Sequence, residues 1–540
     1  METPRYLGDY AMLTPDKPAV INGATGKWVT YRELEERSNR FAQFLYALGL
    51  RRGDHIAVLL ENNVRFFELC WAALRSGLLL TPVNRFASVG EVAYIVDDSS
   101  AQVMVSSYAM RELASELTDK LPACRRRLMI DGTIDGWESY EAAIAPQPPE
   151  RLNQEWFGVV MFYSSGTTGR PKGIVKAQPV NLVSEGLSPA HRKRMQRYEI
   201  DQDTVYLSPA PLYHAAPLGY SINVQFSGGT VIFMEQFDAK DALALVDRYR
   251  VTHSQWVPTM LIRLLRLPET ERLAYDLSSQ RVAIHAAAPC PVEVKQQIIA
   301  WWGPILHEFY AASEGSGETS ISTPEWLAHP GSVGRAVTGV LHICNEAGEE
   351  LPPGETGLIY FEREQLPFNY HNDPDKTRAA QHPRHPTWTS VGDIGHVDAE
   401  GYLYLTDRQS FMIISGGVNI YPQAIEDALA LHPSVADVAV IGVPNPEMGE
   451  EVKAVIEPAN GVAPSGALAE ELLTFLRGKL ARYMIPRSIE FTDALPRLPT
   501  GKLYKKALRD RYWPKVAVSH PLVQPRHDDA AHEGIEDKRR

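Results

Sequence analysis

Eleven consecutive residues carry the densest chemistry in this chain: Tyr163-Ser164-Ser165-Gly166-Thr167-Thr168-Gly169-Arg170-Pro171-Lys172-Gly173. Glycines let backbone N–H groups turn toward an anion, hydroxyls donate to phosphate oxygens, and Lys172 adds positive charge. An apolar, β-prone run, Phe157 to Phe162, leads directly into this loop. A strand feeding a Gly- and hydroxyl-rich loop with a Lys is suited to holding phosphates. It is not a Walker-type loop, which needs Gly before the Lys and Ser or Thr after it. Here Lys172 lies between Pro171 and Gly173.

Five further segments hold residues that could serve such a loop. Pro211-Leu-Tyr-His-Ala-Ala216 sets His214 among small residues. His285-Ala-Ala-Ala-Pro289 closes a predicted strand, and its small side chains leave room for a flat ring against the backbone. Phe309-Tyr-Ala-Ala-Ser-Glu-Gly315 brings an aromatic ring, a hydroxyl and a carboxylate together. Ser390-Val-Gly-Asp-Ile-Gly395 and Tyr402-Leu-Tyr-Leu-Thr-Asp-Arg408 offer Asp393 and Arg408. Pro496-Arg-Leu-Pro-Thr-Gly-Lys-Leu-Tyr-Lys-Lys506 is a basic loop near the C-terminus. Taken singly these are a packed His, a turn, a surface Glu, a second turn and a solvated basic face. Their joint order carries the weight.

In that order the segments resemble the adenylate-forming superfamily of acyl-CoA synthetases, luciferases and the adenylation domains of peptide synthetases. The likeness covers nearly the whole chain and leans toward fatty-acyl-CoA and 4-coumarate-CoA ligases. It implies that Ser164, Ser165, Gly166, Thr167, Thr168, Gly169 and Lys172 cradle the β,γ-phosphates of ATP. It implies that Ala287, Ala288 and Pro289 line the adenine site, where relatives usually carry Gly at the positions of Ala286 and Ala287. That substitution is expected to be mild, narrowing the slot slightly. Tyr310 matches the residue that stacks on adenine, Ala311 stands where Gly is usual, and Ser313 replaces Thr while keeping the hydroxyl. Glu314, with Thr168, matches the Mg²⁺ site, since a hard cation takes oxygen ligands. Asp393 matches the carboxylate on the ribose hydroxyls, and Arg408 the Arg at ribose or phosphate. His214 matches the gate at the carboxylate end of the acid. Lys502 matches the catalytic lysine, and Gly416 and Gly417 the hairpin that replaces it in the second half-reaction. Two positions past Arg408, where relatives have an Asp or Lys hinge, stands Ser410.

The resemblance therefore implies attack of a carboxylate on ATP, release of pyrophosphate, then transfer of the acyl group to a thiol. Free coenzyme A is the expected acceptor, because no carrier domain follows. An Asp that would meet an amino acid's ammonium is missing from Leu212 to Gly219, which favours a hydrophobic acid. Fatty, aryl and polycyclic, steroid-like acids stay open, with the fatty or polycyclic group preferred. A carrier-protein ligase acting in trans, a luciferase-like oxygenase and a non-catalytic adenylate-binding protein are the competing readings.

The elements that must position these residues are legible in outline. At 540 residues the chain is too long for one ordinary domain. The first 400 or so residues read as alternating strands and helices, such as His55–Leu60, Gln102–Ser106, Thr204–Ser208 and Arg281–His285 between helical stretches at Tyr31–Leu48 and Pro291–Trp302. This implies an α/β domain, residues 1–408, of parallel sheets covered by helices. After it the elements shorten into a small mobile α+β domain, residues 409–516, which would carry Lys502. Residues 517–540 are expected to be disordered. A net charge of −12 argues against reliance on nucleic acid. Cys70, Cys124, Cys290 and Cys344 form no CxxC pair and predict a reduced compartment without a zinc site. The N-terminus lacks a signal-peptide core, and Phe66–Val83 is interrupted by Glu68, Arg75 and Thr81, so a cytoplasmic enzyme with at most peripheral membrane association is expected. A homodimer is plausible by resemblance.

Overall fold

The computed structural model describes residues 5–164, 170–408, 411–415, 418–497 and 503–513. Two sheets form the frame of the large N-terminal domain. In the first, the strands Arg126–Ile130, Val103–Ser107, His55–Leu59 and Leu79–Pro82 lie side by side, extended by Glu138–Ser139 and Val159–Val160. Every neighbouring pair in it is parallel. In the second, Pro18–Asn22, Thr230–Phe233, Val205–Ser208, His253–Trp256, Val282–His285 and Leu306–Ala311 are parallel neighbours. Antiparallel strands close both its edges: Trp28–Thr30 at one, Glu318–Ile321 and Arg335–Thr338 at the other. Parallel strands need long crossovers, and the helices that supply them cover the sheet faces. The helix Tyr31–Ala47 is typical: Thr30 and Glu33 close a capping box at its start. Its inward face, including Leu34, Phe41 and Leu45, is fully buried in a core shared with Trp71 and Tyr206.

The alternating pattern read from the sequence ends sooner than expected. From Glu318 to Arg408 the chain is mainly antiparallel. Val340–Cys344, Gly357–Glu362, Asp393–Val397 and Leu403–Arg408 form a separate sheet, with Trp388–Thr389 on its flank. The link from Val397 to Leu403 is too short for a parallel crossover and makes that pair a hairpin. A further small sheet joins Phe162–Ser164 to Lys172–Val175 and then to Asn369–Tyr370. The strand that feeds the Gly-rich loop is thus broken. Val159–Val160 stays in the first large sheet, and Phe162–Ser164 turns away into a hairpin.

The C-terminal domain is α+β, as read. Ile413–Ser415 and Val418–Ile420 pair as a hairpin. The long strands Val435–Asn445 and Gly449–Pro458 pair antiparallel, and Ser488–Phe491 adds in parallel. The helices Pro422–Ala430 and Gly466–Arg477 supply Ile425, Leu429, Leu472 and Leu476 to its core. Lys505 pairs with Glu426 at 2.9 Å, and the amide of Val440 donates to the same carboxylate. Next to it, Gln423 Nε2 donates to Asp427 Oδ1 at 2.8 Å. Burial, opposed by that hydrogen bond and reinforced by the charge of Glu426, pushes the Asp427 carboxyl up to about 7.

One buried ion cluster ties the helices of the first layer to the segment that enters the Gly-rich loop. Arg75, fully buried, meets Glu35 at 2.5 Å and Glu155 at 3.5 Å, and Arg151 reaches Glu35 at 2.7 Å. Removing Arg75 takes the cation from buried Glu155 and leaves Glu35 with Arg151 alone. Arg75→Met is therefore expected to cost about 3–5 kcal/mol, read by urea unfolding. A second expectation concerns pH. The Asp427 carboxyl titrates higher in the folded state than in the unfolded chain, so its contribution to stability falls as pH rises from about 4 to about 7. Asp427→Asn should raise the thermal midpoint at pH 8 and leave it nearly unchanged at pH 4.5. An equal shift at both pH values would contradict the assignment.

Candidate active site

The site is built at the C-terminal ends of the parallel strands of the second sheet, where ligands gather in open α/β folds. The strand Leu306–Ala311 ends on Tyr310 and Ala311, and the chain then turns through Ser313 and Glu314 at Gly315, whose φ is +71°. Tyr310 O–H donates to Asp393 Oδ2 at 2.7 Å. Asp393 Oδ1 receives Arg408 Nε at 2.9 Å. Asp393 and Arg408 are also direct cross-strand partners, so backbone pairing sets the side-chain pair. The Tyr310 hydroxyl is held well above its ordinary pKa by burial and then by the charge of Asp393. It acts as a fixed donor that orients the carboxylate.

Glu314 is buried, and its Oε1 accepts from Tyr370 O–H at 3.0 Å. Tyr370 belongs to the small sheet that includes the Gly-rich hairpin, where its cross-strand partner is Ile174. Lys172 Nζ stands 4.9 Å from the centre of the Tyr370 ring. Ser164 and Lys172 are cross-strand partners, so they form the neck of the Gly-rich hairpin. Burial lowers the pKa of Lys172, and the nearby charge of Lys376 lowers it further, while Asp373 and Glu314 oppose the shift. Ser165, Gly166, Thr167, Thr168 and Gly169 lie outside the described residues, as do Ser410, Gly416, Gly417 and Lys502. Their necks are described: Ser415 pairs with Val418, and Arg497 bridges Leu503.

The loop after the strand Val282–His285 brings Ala287, Ala288 and Pro289 to the same edge, with both alanines exposed and Ala286 buried. Ala287 has a φ of +78°. The exchange of Gly for Ala at this position, read as a mild narrowing, also carries a backbone cost. A non-Gly residue in the left-handed region is strained by about 1 kcal/mol or more. His214 caps the helix Ala215–Phe226 and lies 4.3 Å, ring to ring, from Tyr213.

Three residues that the sequence did not reveal complete the site. Tyr370 positions Glu314, as above. Asn62 fixes the His214 loop: its Oδ1 accepts from the Leu212 amide at 2.8 Å, and its Nδ2 donates to the carbonyls of Ala210 and Met234. Lys176 lies along Gly315, with Nζ 3.4 Å from where a Cβ would stand. It keeps accessible area, yet its pKa is lowered by desolvation, as expected of a cation inside a cleft. Near it, His191 is pulled down to about 4 by burial and by Arg194 and Lys176. Arg194 and Arg197 both pair with buried Glu318. Tyr220 and Phe309, 5.8 Å apart, continue this wall with aromatic surface.

Comparison with known proteins gives the family. Residues 9–370 match the family model described as AMP-binding enzyme, and residues 424–502 match its C-terminal domain. The chain is 32% identical over 522 residues to a long-chain-fatty-acid–CoA ligase, FadD13, of Mycobacterium tuberculosis, covering 94% of this chain and 97% of that one. It is 32% identical over 505 residues to a feruloyl-CoA synthase of an Amycolatopsis species, covering 93% and 97%. Among solved structures it resembles ATP-bound MatB from Rhodopseudomonas palustris, with a TM-score of 0.78, 29% identity and coverage of 94% and 99%. The chain belongs to the AMP-binding enzyme family of the adenylate-forming superfamily. It is a ligase of the acyl-CoA synthetase kind, and ATP is its nucleotide.

Asp393→Asn keeps the side-chain shape and removes the charge shared by Tyr310 and Arg408. Losing charge-assisted bonds of this kind is worth roughly 1.5–3 kcal/mol, so kcat/KM for ATP in pyrophosphate release should fall about tenfold to hundredfold. Unchanged kinetics would show that this carboxylate does not hold the nucleotide.

Proposed function

We propose that the protein activates a hydrophobic carboxylic acid with ATP and transfers the acyl group to free coenzyme A. One observation carries this reading: Tyr310, Asp393 and Arg408 form a single hydrogen-bonded unit beside the Glu314–Tyr370 pair and the neck of the Gly-rich hairpin. That unit offers the ribose hydroxyls a carboxylate acceptor and the phosphates a guanidinium, while the hairpin takes the β,γ-phosphates on Thr167, Thr168 and Lys172.

Mg²⁺ fits the donor set. Among the described residues no group of three His, Cys, Asp or Glu could cage a metal. A single buried Glu314 is what Mg²⁺ requires when phosphate oxygens and water fill its other positions. Glu314, with Thr168, would hold the ion, which when bound neutralises phosphate charge. The chain's own residues do the rest. Lys172 and Arg408 steady the phosphates, and the apolar wall excludes water from a labile mixed anhydride. The acid's carboxylate oxygen attacks the α-phosphorus in line, the bond to pyrophosphate breaks, and an acyl-adenylate forms. The thiolate of coenzyme A then attacks the acyl carbon and AMP leaves. Lys502 stabilises the first transition state. Rotation of the C-terminal domain after Arg408, through Ser410, then brings Gly416 and Gly417 to the site.

The acid is proposed to be a medium- or long-chain fatty or polycyclic acid, held beyond His214. A second reading is an aryl acid, supported by the relative named as a feruloyl-CoA synthase. The named relatives span fatty, aryl and carrier-protein ligases, including a fatty acid–[acyl-carrier-protein] ligase from Streptomyces coeruleorubidus. No helix among the described residues is long and apolar enough to cross a membrane.

The test is a panel of acids graded in size and shape, read as acid-dependent pyrophosphate release and then AMP release on adding coenzyme A. A fatty or polycyclic acid should head the panel. Release of pyrophosphate without coenzyme-A-dependent AMP release would point to a carrier-protein acceptor. Lys502→Ala should slow adenylation about a hundredfold, since a positioned charge contributes on the order of 3 kcal/mol. A loss of threefold or less would remove Lys502 from the mechanism.

A further inference from the structure

Away from the junction at Arg408, two hydrogen bonds from one arginine tie the C-terminal domain to the N-terminal domain. Arg266 stands at the C-terminal end of the helix Pro258–Leu265. Its Nη1 donates to the carbonyl of Ala436 at 2.7 Å, and its Nη2 to the carbonyl of Val435 at 2.9 Å. Successive carbonyls of a regular strand point to opposite sides. Here the pairing register shifts between Val435 and Asp437, and Ala436 has no partner across the ladder. This bulge breaks the alternation and lets two neighbouring carbonyls meet one guanidinium, whose fork of donors suits paired acceptors. No carboxylate pairs with Arg266 among the described residues, so the backbone of the small domain is its partner.

Packing supports the same contact. Leu431, at the end of the helix Pro422–Ala430, lies against the N-terminal core that holds Leu261 and Leu264 of the Arg266 helix. The bulge also carries a link to the loop of Lys502. Asp437, its last residue, accepts from Arg497 Nε and Nη2. Arg497 in turn bridges Leu503 at the neck of that loop. One short stretch, Val435 to Asp437, therefore grips the N-terminal domain and the Lys502 neck together. The other candidate loop is placed differently. On the hairpin Ile413–Ser415 and Val418–Ile420, Ile414 and Val418 are turned to solvent, at 50% and 45% exposure. The docked orientation thus leaves apolar hairpin side chains uncovered.

We propose that Arg266 is a positioning residue that holds the C-terminal domain in the orientation serving adenylation, and that its two bonds break before the hairpin reaches the site. The proposal rests on the two half-reactions given above. Arg266 and its acceptors lie on opposite sides of the pivot after Arg408, so a turn of the small domain separates them. Without the guanidinium the docked orientation loses its fork of bonds, and the balance moves toward the orientation that forms the thioester. Arg266 touches neither nucleotide nor acid, and it acts through the domain that carries Lys502.

Two measurements on the full-length protein test this. In the first, single-turnover rates with dodecanoate are taken for pyrophosphate release and for AMP release on adding coenzyme A to the preformed adenylate. In Arg266→Met the ratio of the first rate to the second should fall at least about threefold, because part of one charge-assisted hydrogen bond shifts a two-state balance that far. Arg266→Lys, which keeps the charge and lacks the fork, should fall less. Arg263 is exposed on the same helix and makes no cross-domain hydrogen bond among the described residues, so Arg263→Met should leave the ratio unchanged. A ratio unchanged or raised in Arg266→Met, or moved equally by Arg263→Met, would overturn the proposal. The second measurement needs no turnover. Nitroxides are placed on Met12→Cys and Tyr483→Cys, both exposed positions, in a Cys290→Ser background, since Cys70, Cys124 and Cys344 are buried. Arg266→Met should add a second inter-label distance to that of the parent, and identical distributions would overturn the proposal. A second distance in a protein that never releases AMP on adding coenzyme A would support the role of Arg266 and refute the acceptor proposed above.

Discussion

Asp393 is the residue on which the geometry of the site turns. Its carboxylate is held from two directions, by a Tyr310 hydroxyl at the end of the large mixed sheet and by Arg408 on the neighbouring strand of the antiparallel sheet. Two separately formed layers are thus locked at one atom group. A buried carboxylate is costly unless its lone pairs are satisfied. Under the function proposed above, the donors that satisfy it are also the side chains that would meet the nucleotide. The requirement to pair a buried charge therefore also preorganises the site.

The rest of the cleft follows one electrostatic rule: many cations around few anions. Lys172, Lys176 and Arg408 all act on Glu314, and the lysines are driven below their ordinary pKa by desolvation. Glu318, close by, is already neutralised by Arg194 and Arg197. The cluster of Arg75, Glu35, Glu155 and Arg151 anchors the segment leading to the Gly-rich hairpin, so its neck stands on a rigid base.

The sequence made the polar motifs legible, because each is a short run whose residue types are set by local chemistry. Tyr310, Glu314, Asp393 and Arg408 were all readable, and the structure brings them together. Residues that act by tertiary position were not readable. Tyr370 reaches Glu314 only because its strand pairs with Val175 and Ile174, nearly two hundred residues earlier. Asn62 holds the His214 loop from the other large sheet, with no local pattern to mark it. Lys176 was hidden as one more charge after the loop. The fold showed the same division. Parallel strands with amphipathic helices announce themselves by period, whereas the antiparallel stretch from Glu318 to Arg408 was taken for more of the same, since short apolar runs do not reveal their direction.

Ala287 and the junction after Arg408 show where such a site stores cost and freedom. Ala287 is held at positive φ on the loop after the strand Val282–His285, a strain that only the surrounding packing can sustain. At the junction two adjacent residues have opposite ties. Arg408 is bonded upstream, to Asp393. Asp407 is bonded downstream, accepting from the backbone amide of Gln423 at 3.0 Å at the start of a C-terminal helix. A turn of the small domain about the residues after Arg408, as proposed above, would have to break the Asp407 tie, because its two ends lie on opposite sides of the pivot. The Asp393–Arg408 pair lies wholly on one side and would persist. The Asp393–Arg408 side-chain pair is thus separated from the motion by the pivot, while the Asp407 tie and the bonds from the Phe411 and Met412 amides to the Arg408 carbonyl span it.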